Sequence, residues 1–171
     1  MNKEVFIRPA EISDVEIMSE VVAESWKIAY GSLISEDDMK LFTNLPRREY
    51  LFKNRISKGD LIYTLLLDDK IVGVCSTQRY ENSDFKDAAE IDQLYLAPSA
   101  IGKGLGGRLL HFSLDSLIKN GFNQSVLFVM EGNVRADGFY RHMGFIPDGF
   151  CLVCKNLSCK NRALRYIKKL L

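Results

Sequence analysis

The stretch "EIDQLYLAPSAIGKGLGGRLL", Glu90 to Leu110, places four glycines within six positions: Gly102, Gly104, Gly106 and Gly107. "EIDQLYL" reads as a strand ended by Pro98. From Gly104 to Asn120 the apolar residues Leu105, Leu109, Phe112, Leu117 and Ile118 recur at helical spacing, with Gly121 as a natural C-cap. Glycine loses more backbone entropy on folding than other residues, and inside a helix it is about 1 kcal/mol worse than alanine. A cluster at a strand-to-helix turn therefore needs a reason in the backbone itself. Such a turn lets bare N–H groups converge on an anion, usually phosphate, at the positive end of the helix.

Several kinds of loop share this composition. A Walker A loop needs lysine and then serine or threonine after its last glycine, but Arg108 and Leu109 follow Gly107. A dinucleotide-binding fingerprint needs G-x-G-x-x-G near the first strand and an acidic residue roughly twenty positions on. The spacing here differs, and the stretch lies late in the chain behind a hairpin. A tight turn with close helix–sheet packing explains one or two glycines, hardly four.

Working outward, "VFIR" reads as a short strand closed by Pro9. Asp14 can then cap a helix carrying Val15, Met18, Val21, Val22 and Ile28 at helical spacing. Ser35 to Phe42 reads as a second helix with Ser35 as N-cap, and Pro46 suits the start of a third. "LIYTLLLDDKIVGVCSTQRY" is two apolar runs broken at Asp68-Asp69-Lys70, a hairpin signal. "SVLFVM" has the near-continuous apolar character of a strand covered on both faces. "NVRADGFYRHM" reads as a short helix and "GFIPDGFCLVC" as a strand. "RALRYIKKL" is ambiguous between helix and strand. The fold class expected is α/β (α+β-like): one mixed, mostly antiparallel sheet of six to seven strands flanked by helices. With no repeat or linker in 171 residues, the expectation is a single domain over 1–171.

A net charge of +1 gives no nucleic-acid footprint and no bulk attraction to membranes. The N-terminal "MNKEVFIRPAEISD" lacks the apolar core of a signal peptide, and no apolar run is long enough to span a bilayer. Cys75, Cys151, Cys154 and Cys159 in such a chain read as reduced thiols, which favours the cytoplasm. Cys151, Cys154 and Cys159, even with His142, make a poor zinc set, so no metal is expected.

A second block completes the pattern. "IGKGLG", Ile101 to Gly106, resembles the Q/R-x-x-G-x-G/A loop of the GNAT (Gcn5-related N-acetyltransferase) superfamily, departing at Ile101. "NVRADGFYRHMGF" is similar to that family's N-x-x-A-x-x-x-Y-x-x-x-G-F signature at Asn133, Ala136, Tyr140, Gly144 and Phe145. "IRPAEISD" looks like the family's common opening. The resemblance runs in the right order over most of the chain.

What it implies is an acyltransferase, moving acetyl from acetyl-CoA to a primary amine of a small molecule or peptide by direct attack in a ternary complex. Gly102, Lys103, Gly104, Leu105, Gly106 and Gly107 would cradle the pyrophosphate. Leu94, Tyr95 and Leu96 would pair with the pantetheine arm, Asn133 would bond its amides, and Tyr140 would protonate the departing thiolate. Glu90 would act as general base or as a substrate contact, with Asp92 as backup. Trp26 and Tyr30, in "ESWKIAYGSLIS", would line the acceptor pocket or pack in the core. The acidic loop residues Glu81, Asp84 and Asp87 would draw a cation or be solvated. A homodimer is common in the superfamily. A catalytically weak acyl-CoA-binding sensor on the same fold is the alternative.

Overall fold

In the computed structural model, which describes residues 4–158 and 160–170, each periodicity change in the sequence marks a change of element. The chain runs β1 (Val5–Pro9), α1 (Val15–Tyr30), α2 (Glu36–Phe42), α3 (Leu45–Ser57), β2 (Ile62–Leu67), β3 (Lys70–Arg79) and β4 (Ala88–Leu96). It continues through α4 (Leu105–Lys119), β5 (Gln124–Met130), α5 (Val134–His142), β6 (Ile146–Val153) and β7 (Arg162–Lys169). Short 3-10 turns precede α1 and follow β4.

The strands form one seven-stranded sheet in the order β1-β2-β3-β4-β5-β7-β6. Every neighbouring pair is antiparallel except β4 and β5. A parallel pair needs a crossover, and α4 supplies it. One face of the sheet carries α4, whose Leu109, Leu110, Leu114 and Leu117 pack with Leu65, Leu127 and Tyr166. The other face carries α1 and α3, where Val15, Met18, Val22 and Phe52 meet Ile62 and Val74. The fold is thus mixed α/β, with a mostly antiparallel sheet between helices.

Local chemistry sets the boundaries. Ser35 accepts from the Asp38 N–H, Asn44 accepts from the Arg47 N–H, and Pro46 occupies the first turn of α3. Asp68 and Asp69 both take positive φ (50° and 63°), the conformation that a two-residue hairpin turn requires. Asp14 departs from its expected role: its side chain does not cap α1. It accepts from the Glu11 N–H and from both terminal nitrogens of Arg8, at 2.6 and 2.8 Å, which holds its carboxyl below the usual range. The ambiguous C-terminal segment is strand β7. It lies between β5 and β6, so both its edges are paired and Tyr166 is fully buried. Ala163 and Arg165 are buried on one face of β7 and Tyr166 on the other, so no solvent face marks the strand, which is why its sequence did not distinguish the two forms. Among the described residues, no helix is long and apolar enough to cross a membrane.

Candidate active site

The parallel pair of strands comes apart almost as soon as it forms. β4 and β5 are registered only at Ala88↔Gln124, Ala89↔Ser125 and Glu90↔Val126. Beyond Glu90 neither strand has the other as a partner, which leaves a free backbone edge on each. On the opposite edge of β4 the register against β3 slips, with Gln93 opposite Ser76 but Ile91 opposite Thr77. Asp92 is therefore the extra residue of a β-bulge, and the bulge reverses the alternation of the strand. Ile91, Leu94 and Leu96 pack toward α4, while Tyr95 packs toward α1. Asp92 reaches Arg55 of α3.

The splayed strands open into a cavity of about 680 Å³ that both faces of the sheet contribute to. At one end stand Leu94, Leu96, Gly102, Gly104, Gly106 and Gly107, with Phe139 of α5 behind them. Gly102 and Gly104 have φ of 77° and 73°, which side chains rarely tolerate. Gly106 and Gly107 are different. A Cβ on Gly106 would sit 3.5 Å from Leu96 and 3.6 Å from the Phe139 ring, and one on Gly107 3.6 Å from Met143 Sδ. These are ordinary contacts, so internal packing does not demand those glycines; their bare faces line the cavity. The first intrahelical bond of α4 runs from the Arg108 N–H to the Gly104 carbonyl, at 3.3 Å. The N–H groups of residues 105–107 thus have no acceptor in their own helix, and no side chain caps it. Free amides, a helix N-terminus and clear space fit a phosphate group.

Tyr140 lies in the same wall, between Phe139 and Phe145 at ring-centroid separations of 5.1 and 5.8 Å. Burial, then the nearby Cys75 and Tyr30, raises its pKa far above that of a free phenol. It is therefore a proton carrier at neutral pH. Burial also raises Tyr30, and it raises Tyr95 well above the ordinary phenol value, with Tyr30 adding to the effect. Cys75 is pushed up to about 12 by burial, so it is a neutral thiol rather than a nucleophile. Asn133 lines the cavity, and its Oδ1 accepts from the Ala136 N–H at 3.1 Å. That oxygen caps α5.

The other end is lined by Ser25, Ile28, Ala29, Tyr30, Ser32 and Leu33, from the end of α1 and the turn after it. Gly132 (φ 90°) brings the loop after β5 against this turn; a Cβ there would meet Leu33 Cδ2 at 2.9 Å. The β6–β7 connection is tied to the same region. Asn161 Nδ2 donates to the Leu33 carbonyl at 2.8 Å, and the Ser158 N–H and hydroxyl both donate to Asp38.

Some expected site residues stand elsewhere. Glu90 does not line the cavity; its carboxylate accepts from Gln78 Nε2 at 2.9 Å, and burial raises its pKa. The carboxylate in the wall is Asp92, which accepts from Arg55 Nη1 at 2.7 Å and from the Ser76 hydroxyl at 2.9 Å. Ala89 and Ile91 both pack toward α4, so Glu90 and Asp92 face the same side of β4, and only Asp92 lies beyond the point where β4 and β5 part. Trp26 is also outside the lining. It stacks on Phe42 (4.7 Å, 9°), under the Arg48 guanidinium at 5.4 Å, and props Tyr30 from behind at 4.6 Å. Lys103 points to solvent and Leu105 into the core, so neither side chain faces the cavity. Glu81, Asp84 and Asp87 stand apart from it. Ser25 and Ala29 share one face of α1, a pattern visible in the sequence that carries no chemistry to single it out.

Cys151 accepts from Arg162 Nε at 3.0 Å, away from the cavity, and Cys159 lies outside the described residues. Among the described residues, no group of three or more His, Cys, Asp or Glu side chains is placed to hold a metal.

Comparison with known proteins places this geometry. Residues 22–145 match the model of the acetyltransferase (GNAT) family. The chain is 27% identical over 144 residues to spermidine N(1)-acetyltransferase of Thermoplasma acidophilum, covering 81% of this chain and 86% of that protein. The crystal structure of PaiA N-acetyltransferase from Thermoplasma acidophilum, in complex with coenzyme A, superposes with a TM-score of 0.80 at 23% identity, covering 97% of this chain and 99% of that one. Ribosomal-protein-alanine N-acetyltransferase from Brucella melitensis superposes at 0.74 with 19% identity, over 96% and 99% of the two chains. The chain belongs to the acetyltransferase (GNAT) family and is an acetyl-CoA-dependent N-acetyltransferase.

Proposed function

We propose that the protein acetylates a primary amine of a small molecule or peptide by direct attack within a ternary complex. The observation that carries this reading is one continuous cavity. It joins the unpaired amides of α4, the free edge of β4 and the Tyr140 phenol at one end to a pocket on α1 at the other. Residues 102–107 hold the pyrophosphate through backbone N–H groups, and the free edge of β4 at Leu94–Leu96 pairs with the pantetheine amides as an added strand would.

Asp92, held by Arg55 and Ser76, draws the acceptor ammonium into the cavity. Glu90, two residues before it, takes the ammonium proton through water; its raised pKa suits that work better than an ion-paired carboxylate would. A β4 backbone N–H polarises the thioester oxygen. As the new N–C bond forms and the C–S bond breaks, Tyr140 protonates the departing sulfur, and the proton shed by the amide nitrogen restores the phenol. Tyr30 and the small residues of α1 orient the amine, with Trp26 holding Tyr30 in place. The names of the relatives span spermidine and a ribosomal-protein alanine, which supports an amine acceptor. The chain acts as one catalytic domain, and a cytoplasmic location fits its free thiols Cys75, Cys151 and Cys154.

The test mixes protein, acetyl-CoA and a panel of polyamines, amino acids, aminoglycosides and N-terminal peptides, and follows free thiol. Amine-dependent thiol release that collapses in Tyr140→Phe supports the proposal. Tight acetyl-CoA binding without amine-dependent release across the panel overturns it in favour of a sensor.

A further inference from the structure

Ile101 occupies the position at which the family's loop carries Gln or Arg, and the structure places it in the cavity wall. An apolar side chain there brings no donor to an anionic ligand. Another residue of the same wall has the missing charge. Arg135, in the first turn of α5, lines the cavity with the glycines of the loop.

Its placement is specific. Arg135 and Phe139 are four residues apart on α5 and so share one face of the helix. The Phe139 ring is, with Leu96, what a Cβ on Gly106 would touch, at 3.6 Å. Arg135 therefore stands one turn away from the contact between α5 and the open first turn of α4. Among the described residues its charge also meets no opposite charge. A cation in the first turn of a helix opposes the helix dipole. Arg141, at the other end of α5, suits the dipole and pairs with Asp137 at 2.8 Å. Among the described residues, Arg135 is exposed and makes neither an ion pair nor a side-chain hydrogen bond. Among the described residues no charge contact inside the fold accounts for it; an anion in the cavity does.

We propose that Arg135 supplies the cationic side-chain contact to the phosphates of CoA that Ile101 cannot make, and so completes the amide cradle of α4. A guanidinium matches phosphate oxygens with two parallel donors, so the replacement is of like kind. The inference rests on the proposed use of this cavity for acetyl-CoA. Its test measures binding without any acceptor, so failure of the catalytic reading and failure of this one are distinguishable.

Titration calorimetry with CoA and with dephospho-CoA, which lacks the 3′-phosphate, is carried out on the wild type, Arg135→Gln, and Arg135→Gln combined with Ile101→Arg. The single variant should bind CoA about 10- to 30-fold more weakly, the scale of one lost hydrogen bond to a charged group. Its ligand-free melting temperature should stay level or rise, because an unfavourable helix–charge contact is removed. The added Ile101→Arg should restore most of the affinity. An equal loss with both ligands assigns the contact to the pyrophosphate, and a loss confined to CoA assigns it to the 3′-phosphate; either supports the proposal. An affinity within twofold of wild type overturns it. So does a fall in the ligand-free melting temperature large enough to account for the lost affinity. A change in acceptor KM with CoA binding intact overturns it as well, in favour of an acceptor contact.

Discussion

At its donor end the cavity is made of backbone, and at its acceptor end of side chains. Leu94, Leu96 and the four glycines sit on β4, the loop after it and the first turn of α4, anchored to the larger apolar cluster. Ser25, Ala29, Tyr30 and Leu33 sit at the end of α1, tied to the β6–β7 connection through Asp38–Ser158 and Leu33–Asn161. Recognition by N–H groups demands positions where a side chain is forbidden or in the way, so it leaves glycines as its mark. Recognition by side chains on a helix leaves no mark, because small and aromatic residues there serve packing equally well. The comparison predicts that changes at each end should move different kinetic constants.

The largest effect is expected at the junction of the two ends. Tyr140→Phe should lower kcat by about 10²–10³-fold, the scale of a lost general acid, with acetyl-CoA affinity nearly unchanged. Stopped assays paired with calorimetry check this, and an affinity loss without a kcat loss would make Tyr140 a donor-end packing residue.

Glu90→Gln should cost about 10²-fold in kcat/KM and remove the acidic limb of its pH profile. That limb lies above the usual carboxylate range because burial raises the Glu90 pKa. The sign for stability is opposite to that for activity. A carboxyl with a raised folded-state pKa opposes folding once pH rises through that pKa, so the Gln variant should melt no lower than wild type at pH 7. An unchanged pH profile removes Glu90 from proton transfer and leaves Asp92 as the remaining carboxylate.

Asp38→Ala releases Ser158 and Ser35 together. The acceptor end then loses one of its two ties to the β6–β7 connection, with Leu33–Asn161 remaining, and acceptor KM should rise about tenfold through misplacement, with CoA affinity unaltered. Equal changes in both constants would show the two ends to be one unit. The smallest effect is expected at Trp26→Phe, which keeps an aromatic ring behind Tyr30. It should cost about 1 kcal/mol of stability in denaturant unfolding and change acceptor KM less than Asp38→Ala does.

The fold was legible wherever a segment carries one clear periodicity, cap or turn signal. Periodicity in α1 and α4, the cap at Ser35, Pro46 at the start of α3 and the turn at Asp68-Asp69 all correspond to the observed elements. It was illegible at β7, where Arg165 is buried on one face and Tyr166 on the other, and at Asp14, whose carboxylate serves Arg8 instead of a helix end. Of the site, the glycine loop, Tyr140 and Asn133 could be located from their spacing. Asp92 stood only as backup to Glu90 and Tyr30 only beside Trp26, while Arg135, Ser25 and Ala29 could not be located, because exposure to the cavity depends on neighbours remote in sequence.

By itself, the sequence determined that a strand must enter a helix through a backbone stripped of side chains, because glycine at such density has no other economical explanation. It determined the order of elements and the family for the same reason: local conformational demands and motif spacing are properties of the chain. Only the tertiary structure decided which carboxylate faces the cavity, where β4 parts from β5, and that Trp26 stands behind Tyr30 rather than beside the acceptor. Those are outcomes of strand register and of packing between distant segments. A shift of one residue in register turns a side chain from one face of a sheet to the other.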